Sequence, residues 1–399
     1  MNAEQIRYQN DLDMYNALLQ NKDVIRVNEM IEKMQEEGPM GTRRRLLATP
    51  VRLTRNMAPD IHKMADECVE TLGMEIPLEL YVYSSPQFNA ACFKPEDGQL
   101  FVMFSSSLLE GFEGSELKFV VGHEFGHHVY KHHDIPIGYL LRGQKRPDPK
   151  LALDLFAWSR NAEVSADRAG ALCANDLHGV ARSLFKLASG LSERVIKFDL
   201  DEFLAQVDEM ATEDQEPGRG APKEDWFSTH PFSPLRVHAL KLFHESALMK
   251  EGGTSRDDLE VGVHRLMSLM EPSYLDRKTD TATAMQRALY AGAIVVADAD
   301  GEISAEEIEV FEKFFGKGEF GKDLNIPRIK SHLEDRLEKL REVASETQRM
   351  QVLRDLCVIS MADGSLHERQ RKALNEIAVM ADISPAFICQ SLELDCEPD

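Results

Sequence analysis

The sequence predicts an α+β fold, mostly α: a helical domain that holds one small mixed or antiparallel sheet, followed by an all-α domain. Three observations carry this. The 399 residues exceed what one core normally organises and suggest two or three domains. Alternating, strand-like texture is confined to residues 78–104, with helical periodicity on both sides. Ala299-Asp300-Gly301 and Ala362-Asp363-Gly364 recur 63 residues apart, each between an apolar helix and a charged amphipathic one, as in duplicated helical hairpins.

Taken in order, Leu12, Tyr15 and Leu19 share one helical face, and Val24, Val27, Ile31 and Met34 share another before Gly38-Pro39. These two short helices define an N-terminal extension over 1–48, whose Arg43-Arg44-Arg45 reads as a salt-bridging turn. Met57, Ile61, Met64, Cys68 and Leu72 mark a further helix that ends at Gly73. Leu78–Tyr83, Phe88–Phe93 and Leu100–Phe104 read as strands, the last two joined through the hairpin signal Pro95-Glu96-Asp97-Gly98. From Ser115 the pattern is helical. A loop of mixed charge spans 142–150, and the acid-, Gly- and Pro-rich loop 211–225 has the composition of a lid. The stretch 271–282 reads as a linker, so the domains are drawn at 49–275 and 280–399.

At 43% hydrophobic, 29% charged and 7% aromatic residues, the composition is that of a folded chain. Asp and Glu number 68 against 46 Lys and Arg, a net charge of −22 that repels nucleic acid and anionic lipid. The longest stretch free of Asp, Glu, Lys, Arg and His is 14 residues, Leu80–Phe93, whereas a spanning helix needs about 20 apolar residues. No membrane span is expected. The N-terminus lacks the apolar run of a signal peptide, and the six cysteines are scattered without CxxC spacing. A soluble protein with free thiols, placed in the cytoplasm, is therefore expected.

Residues 121–133 read VGHEFGHHVYKHH. On a helix His123 and His127 are one turn apart, so both imidazoles can grip one ion. Glu124 sits about 100° round the helix and can reach a metal-activated water, as suits a general base. Two third ligands compete. His133 falls where an extended motif would place a last histidine, but Tyr130 stands where that motif needs a chain-reversing Gly. The rival is Glu163, with Asp167 at i+4 placed to orient a ligating imidazole, and Glu163 is the stronger candidate. His128, His132 and His133 are then expected at the surface or rim.

With these residues in view, the sequence resembles the gluzincin metallopeptidases of the CAAX prenyl protease and HtpX-like type. The likeness rests on Glu116-Leu117, the His-Glu-Phe-Gly-His core, Glu163 with Asp167, Ser228-Thr229-His230-Pro231 with Arg236, and Asn89-Ala90 in an upstream strand. It covers residues 50–245 or so. It implies a zincin-like fold and one zinc per chain on His123, His127 and Glu163, with Glu124 as catalytic carboxylate. It also implies that His230 and Arg236 stabilise substrate or the developing oxyanion, and that the strand near Asn89 and Ala90 pairs with the substrate backbone. Transmembrane helices or export signals that many members carry have no counterpart in this sequence, so a prenylated or membrane-embedded substrate is not inferred.

Residues 296–307 place Asp298, Asp300 and Glu307 as a calcium loop would, but Val296 occupies the first ligand position, which disfavours calcium. AIVVADADGEISAEEIEVFEKFF and LCVISMADGSLHERQRKALNEIA instead resemble the paired helices of the TerB (tellurite-resistance) family. Asp300 and Asp363 would be turn and helix-cap residues, with Ser304 and His367 near the starts of the following helices. Residues 280–399 hold 24 acidic and 14 basic residues, as in an adaptor for a basic protein partner or a restraint on the active site. The expected function is a soluble zinc metalloendopeptidase acting on protein or peptide substrates. The alternative is a non-catalytic or chaperone-like binding module with a structural zinc.

Overall fold

The computed structural model describes residues 2–36, 41–142, 149–191, 195–213, 228–270, 274, 280–301, 303–315, 318, 320, 324–362 and 366–392. The central residues of the 142–150 loop, the expected lid from Asp214 onward, most of the 271–282 linker and Asp363-Gly364 lie outside them. The chain divides into two compact units, Met1–Gln206 with Ser228–Arg256, and Val207–Phe227 with Asp257–Asp399.

The first unit opens with helices α1 (Ala3–Ile6), α2 (Gln9–Leu19), α3 (Lys22–Glu36) and α4 (Thr42–Ala48). The amphipathic faces of α2 and α3 bury Tyr15, Leu18, Val24 and Ile31. Three of these join Ile135, Leu140, Leu155 and Trp158 in one cluster, so the N-terminal extension is built onto this unit's core. Arg43 lies in α4 and donates from Nε and Nη2 to Glu79, so the basic stretch is a helix with one ion pair.

The sheet has four strands in the order β1-β2-β4-β3: β1 (Val51–Leu53), β2 (Leu78–Tyr83), β3 (Ala90–Cys92) and β4 (Leu100–Ser105). It is mixed, since β2 and β4 run parallel while β1 and β3 pair antiparallel at the two edges. The continuous apolar run of β4 fits its central position, buried on both faces. Strand β1 has no counterpart in the sequence reading, and β3 is shorter than the expected Phe88–Phe93, because three-residue edge strands carry too little alternation to register. Between β1 and β2, α5 (Pro59–Leu72) starts on Pro59 at its first position and ends at Gly73, whose φ of 67° supplies the left-handed cap.

Helices α6 (Ser106–Gly111) and α7 (Gly114–Val129) follow the sheet, then α8 (Ile137–Arg142), α9 (Pro149–Ala174), α10 (Leu177–Ser189), α11 (Leu200–Glu213) and α12 (Ser233–Glu245). Helices α7 and α9 touch backbone to backbone. A Cβ added at Gly126 would lie 2.9 Å from Ala169 Cβ and 3.0 Å from Ala166 Cα, and one at Gly122 would lie 2.8 Å from Cys173 Cβ. Among the described residues, no helix is long and apolar enough to cross a membrane.

The second unit comprises the end of α11 from Val207, then α13 (Arg256–Ser268, from Asp257), α14 (Asp280–Ala297), α15 (Ala305–Phe315), α16 (Ile326–Ser331), α17 (Leu333–Val343), α18 (Glu346–Ser360), α19 (Glu368–Met380) and α20 (Ala386–Ser391). Val261 of α13 is buried in this unit's core, so the contact boundary falls earlier than the 275–280 linker. The 63-residue offset recurs in the hydrogen bonds. Ser304 caps α15 by accepting from Glu307 N, and His367 caps α19 in a box with Gln370. Glu307 and Gln370, themselves 63 residues apart, then bond to each other at 2.8 Å (Gln370 Nε2 to Glu307 Oε1). Val296 is fully buried, and Glu307 is engaged in capping.

Candidate metal centre

Two helices bring the site together. Helix α7 carries His123, Glu124 and His127, and α9 carries Glu163 and Asp167. The glycine contact between α7 and α9 lets these side chains meet at close range. His123 Nε2 lies 3.2 Å from His127 Nε2 and 3.4 Å from Glu163 Oε2, and His127 Nε2 lies 3.4 Å from Glu163 Oε1. Ligands about 2.0–2.1 Å from a tetrahedral ion stand about 3.3 Å apart, so the triangle fits one small divalent cation. His123, His127 and Glu163 are also the one His/Cys/Asp/Glu cluster among the described residues that could hold such an ion.

The chemistry of the donors points the same way. Asp167 Oδ1 accepts from His123 Nδ1 at 2.9 Å, so the hydrogen sits on Nδ1 and Nε2 presents a lone pair. That lone pair faces a buried carboxylate oxygen, Glu163 Oε2, which accepts no hydrogen bond. Burial would raise the Glu163 carboxyl, but His230, His127 and His123 outweigh it and hold it well below the usual carboxylate range. Protons on these histidines and a divalent cation are alternatives in the same place: with Nε2 bare, as Asp167 sets for His123, the carboxylate and the two imidazoles are a donor set for a metal ion.

Asp167 is held in turn. Arg236, buried on α12, donates from Nε at 2.8 Å and Nη2 at 2.6 Å to its two oxygens, and Nη2 lies 3.4 Å from Glu163 Oε2. Burial opposes the Asp167 charge, but Arg236 and His123 keep its carboxyl below the ordinary value. His230 is 60% exposed, with Nε2 3.5 Å from Glu163 Oε1. Its segment is tied to α9, where Ser159 Oγ donates to Thr229 O and Arg160 Nη1 to Ser228 O. Glu116, buried on α7, receives Lys186 Nζ at 2.6 Å and Arg182 Nε at 3.0 Å.

These groups open onto a cavity of about 190 Å³ lined by Asn89, Ala90, His123, Glu124, Glu163, His230 and Arg236 among others. Strand β3 forms one wall. Asn89 N donates to Ser105 Oγ, Asn89 O accepts from Ser105 N, and Phe93 N donates to Phe101 O. By antiparallel alternation, the N–H and C=O groups of Ala90 and Cys92 face away from β4, along the open edge. The Asn89 side chain donates to Tyr83 Oη. Burial, then the nearby Glu124 carboxylate, push the Cys92 thiol well above its ordinary value.

His132 corrects the expectation of a surface or rim position. Helix α7 stops at Val129 and the chain reverses at Lys131, a non-glycine residue with φ 58°. His132 thereby returns, buried, with Nδ1 2.8 Å from His127 Nδ1. His133 lies outside the ligand cluster, and its Nε2 is buried without a hydrogen-bond partner. Behind His132 stands Asp11 of α2, with Oδ2 3.2 Å from His132 Nε2. Neither contact was foreseen. The one available signal was Arg7 and Asp11 at i, i+4, a charged pair beside an otherwise apolar helix face.

Fold and site together define a class, a metallopeptidase domain with two helix-borne histidines and a downstream glutamate. The comparisons agree. Residues 55–142 and 150–243 match peptidase family M48, and residues 286–390 match tellurite resistance protein TerB. The chain carries an M48 peptidase domain of the HtpX-like kind, followed by a TerB domain. It is 30% identical over 176 residues to the plastoglobule-localized metallopeptidase 48, chloroplastic, of Arabidopsis thaliana, covering 40% of this chain and 49% of that protein. It is 21% identical over 233 residues to a protease HtpX homolog of Helicobacter pylori, covering 49% of this chain and 70% of that protein. The alignment thus spans about half of the first relative. No solved structure matches.

Proposed function

We infer that the protein is a zinc-dependent endopeptidase that cuts protein or peptide chains. The observation that carries this is Glu163 Oε2, buried and without a hydrogen bond, facing the bare Nε2 of His123 beside a cavity that Glu124 also lines. Two imidazoles and one carboxylate are the donor set of a catalytic zinc site with an open position. Zinc held by His123, His127 and Glu163 supplies Lewis acidity toward a water and a carbonyl oxygen. Glu124 takes the water's proton as the scissile carbonyl is attacked and delivers it to the leaving amine. His230 is exposed enough to reach substrate and donates to the developing oxyanion. Arg236 adds positive charge beside the cavity while its Nε and Nη2 keep Asp167 against His123. The substrate backbone pairs, as an extended strand, with the outward groups of Ala90 and Cys92, next to Asn89.

The acidic TerB domain acts in this reading as a regulatory or adaptor module for a protein partner. A cytoplasmic setting belongs to the same proposal and rests on the unbridged thiols Cys68, Cys92, Cys173, Cys357 and Cys389. The deciding experiment compares wild type with Glu124→Gln on an unfolded polypeptide, with and without chelator. Wild type should give chelator-sensitive fragments. The variant should retain metal and lose roughly two to four orders of magnitude in rate. Cleavage by Glu124→Gln at the wild-type rate rejects the role of Glu124, and binding without fragments by wild type favours a non-catalytic module.

A further inference from the structure

The roles assigned above leave two groups behind His127 unused. His127 Nδ1 lies 2.8 Å from His132 Nδ1, and His132 Nε2 lies 3.2 Å from Asp11 Oδ2. Asp11 is completely buried. Its Oδ2 also accepts from Arg7 Nε at 2.9 Å and Ser165 Oγ at 2.7 Å, and Oδ1 accepts from Trp158 Nε1 at 3.1 Å. A carboxylate facing a guanidinium and further donors is ionised and purely an acceptor, so the hydrogen of neutral His132 sits on Nε2. His132 Nδ1 then offers a lone pair, which accepts from His127 Nδ1–H. That leaves His127 Nε2 bare, and this is the atom facing His123 and Glu163. Each proton in the chain has one place, assigned from the hydrogen-bond network.

We propose that His132 and Asp11 are positioning residues for the metal ligand His127, forming an imidazole–carboxylate relay that fixes its tautomer and ring orientation. For His123, Asp167 does this by direct contact; for His127, the carboxylate acts through an intervening histidine. The inference rests on the zinc reading above. It makes the N-terminal helices part of the metal centre, although they precede the segment that matches the peptidase family. Those helices are fastened for the task. Tyr130 Oη donates to Ala3 O at 2.9 Å, Tyr8 N donates to Ser165 Oγ at 3.2 Å, and Arg168 Nη1 donates to Ile6 O at 3.3 Å.

The test measures zinc affinity of the full-length chain by competition with a chromophoric chelator, together with the visible spectrum after cobalt substitution. His132→Phe keeps a ring but offers no acceptor, and should weaken zinc binding roughly 10- to 100-fold and shift the cobalt bands. His132→Gln, whose amide oxygen can accept from His127, should recover to within roughly tenfold of wild type. Asp11→Ala should weaken binding about tenfold or more. Tyr130→Phe removes the hydroxyl that tethers α1 but keeps the ring that packs beside His132 and Arg7, and should lower thermal stability while leaving zinc affinity and cobalt spectrum unchanged. The relay is overturned if His132→Phe or, should that variant not fold, Asp11→Ala keeps the wild-type constant and spectrum. It is equally overturned if Tyr130→Phe loses zinc as severely, because packing alone would then explain the loss. A wild-type chain that takes up no zinc overturns the functional reading as well, which separates the two failures.

Discussion

Glu163 and Asp11 are both buried carboxylates, yet their surroundings give them opposite tasks. Glu163 keeps one oxygen free of hydrogen bonds, whereas both oxygens of Asp11 are occupied by donors. Glu163→Gln keeps the shape and removes the charge, so metal content by elemental analysis should fall to roughly a tenth of the wild-type value or less. His133→Ala should retain its zinc; the reverse pattern would make His133 the ligand. Asp11 yields a pH prediction. Burial works against its charge, but His132 and Arg7 lower the carboxyl from 3.8 to about 2. A carboxyl depressed on folding contributes stability above its unfolded value, and that contribution is lost as pH falls from about 4 toward 2. At about 1.4 kcal/mol per unit it is worth roughly 2 kcal/mol at neutral pH. Metal-free wild type and Asp11→Asn should therefore differ in urea midpoint at pH 7 and converge near about pH 2; a constant gap across that range would contradict the assignment. The motif residues were legible because helical spacing alone fixes where His123, Glu124 and His127 point. His132 was not, since the reversal at Lys131 has no sequence mark and the Asp11 contact spans 121 residues.

At the level of elements, the site depends on how near α7 comes to α9. Gly122 and Gly126 flank the histidines on the face turned to α9, and neither has room for a methyl group. Gly126→Ala should cost about 1–3 kcal/mol in thermal or urea unfolding, although alanine is the better helix former, and should weaken zinc binding by spreading the ligand triangle. A stabilised variant with unchanged affinity would mean that α9 yields without cost. Long periodic helices and the apolar β4 could be read directly, and the hairpin signal at Pro95–Gly98 correctly joined β3 to β4. The mixed character of the sheet could not be chosen beforehand, because strand direction is set by tertiary connection and leaves no trace in alternation.

Over the whole molecule, a segment matching peptidase family M48 precedes one matching TerB in sequence, and in the latter two residues at the 63-residue offset meet. Glu307 and Gln370 are buried at 3% and 4% exposure and bond each other, so Glu307→Ala strands a buried amide and the Ser304 cap. A loss of about 1–3 kcal/mol is expected, measured by the urea midpoint of the full chain, with zinc content unaffected. If zinc is lost as well, the two units do not unfold independently. The repeat was visible in sequence as an offset; the hydrogen bond between its copies was not, because an offset says nothing of distance. In the first unit, β3 offers only two outward main-chain positions, Ala90 and Cys92, over about 10 Å of strand. So short a rail cannot grip a helix or a paired strand, whose amides are already spent. On the proposed reading of β3 as the substrate edge, cleavage should track how far a polypeptide has unravelled, sparing intact neighbours and consuming damaged ones.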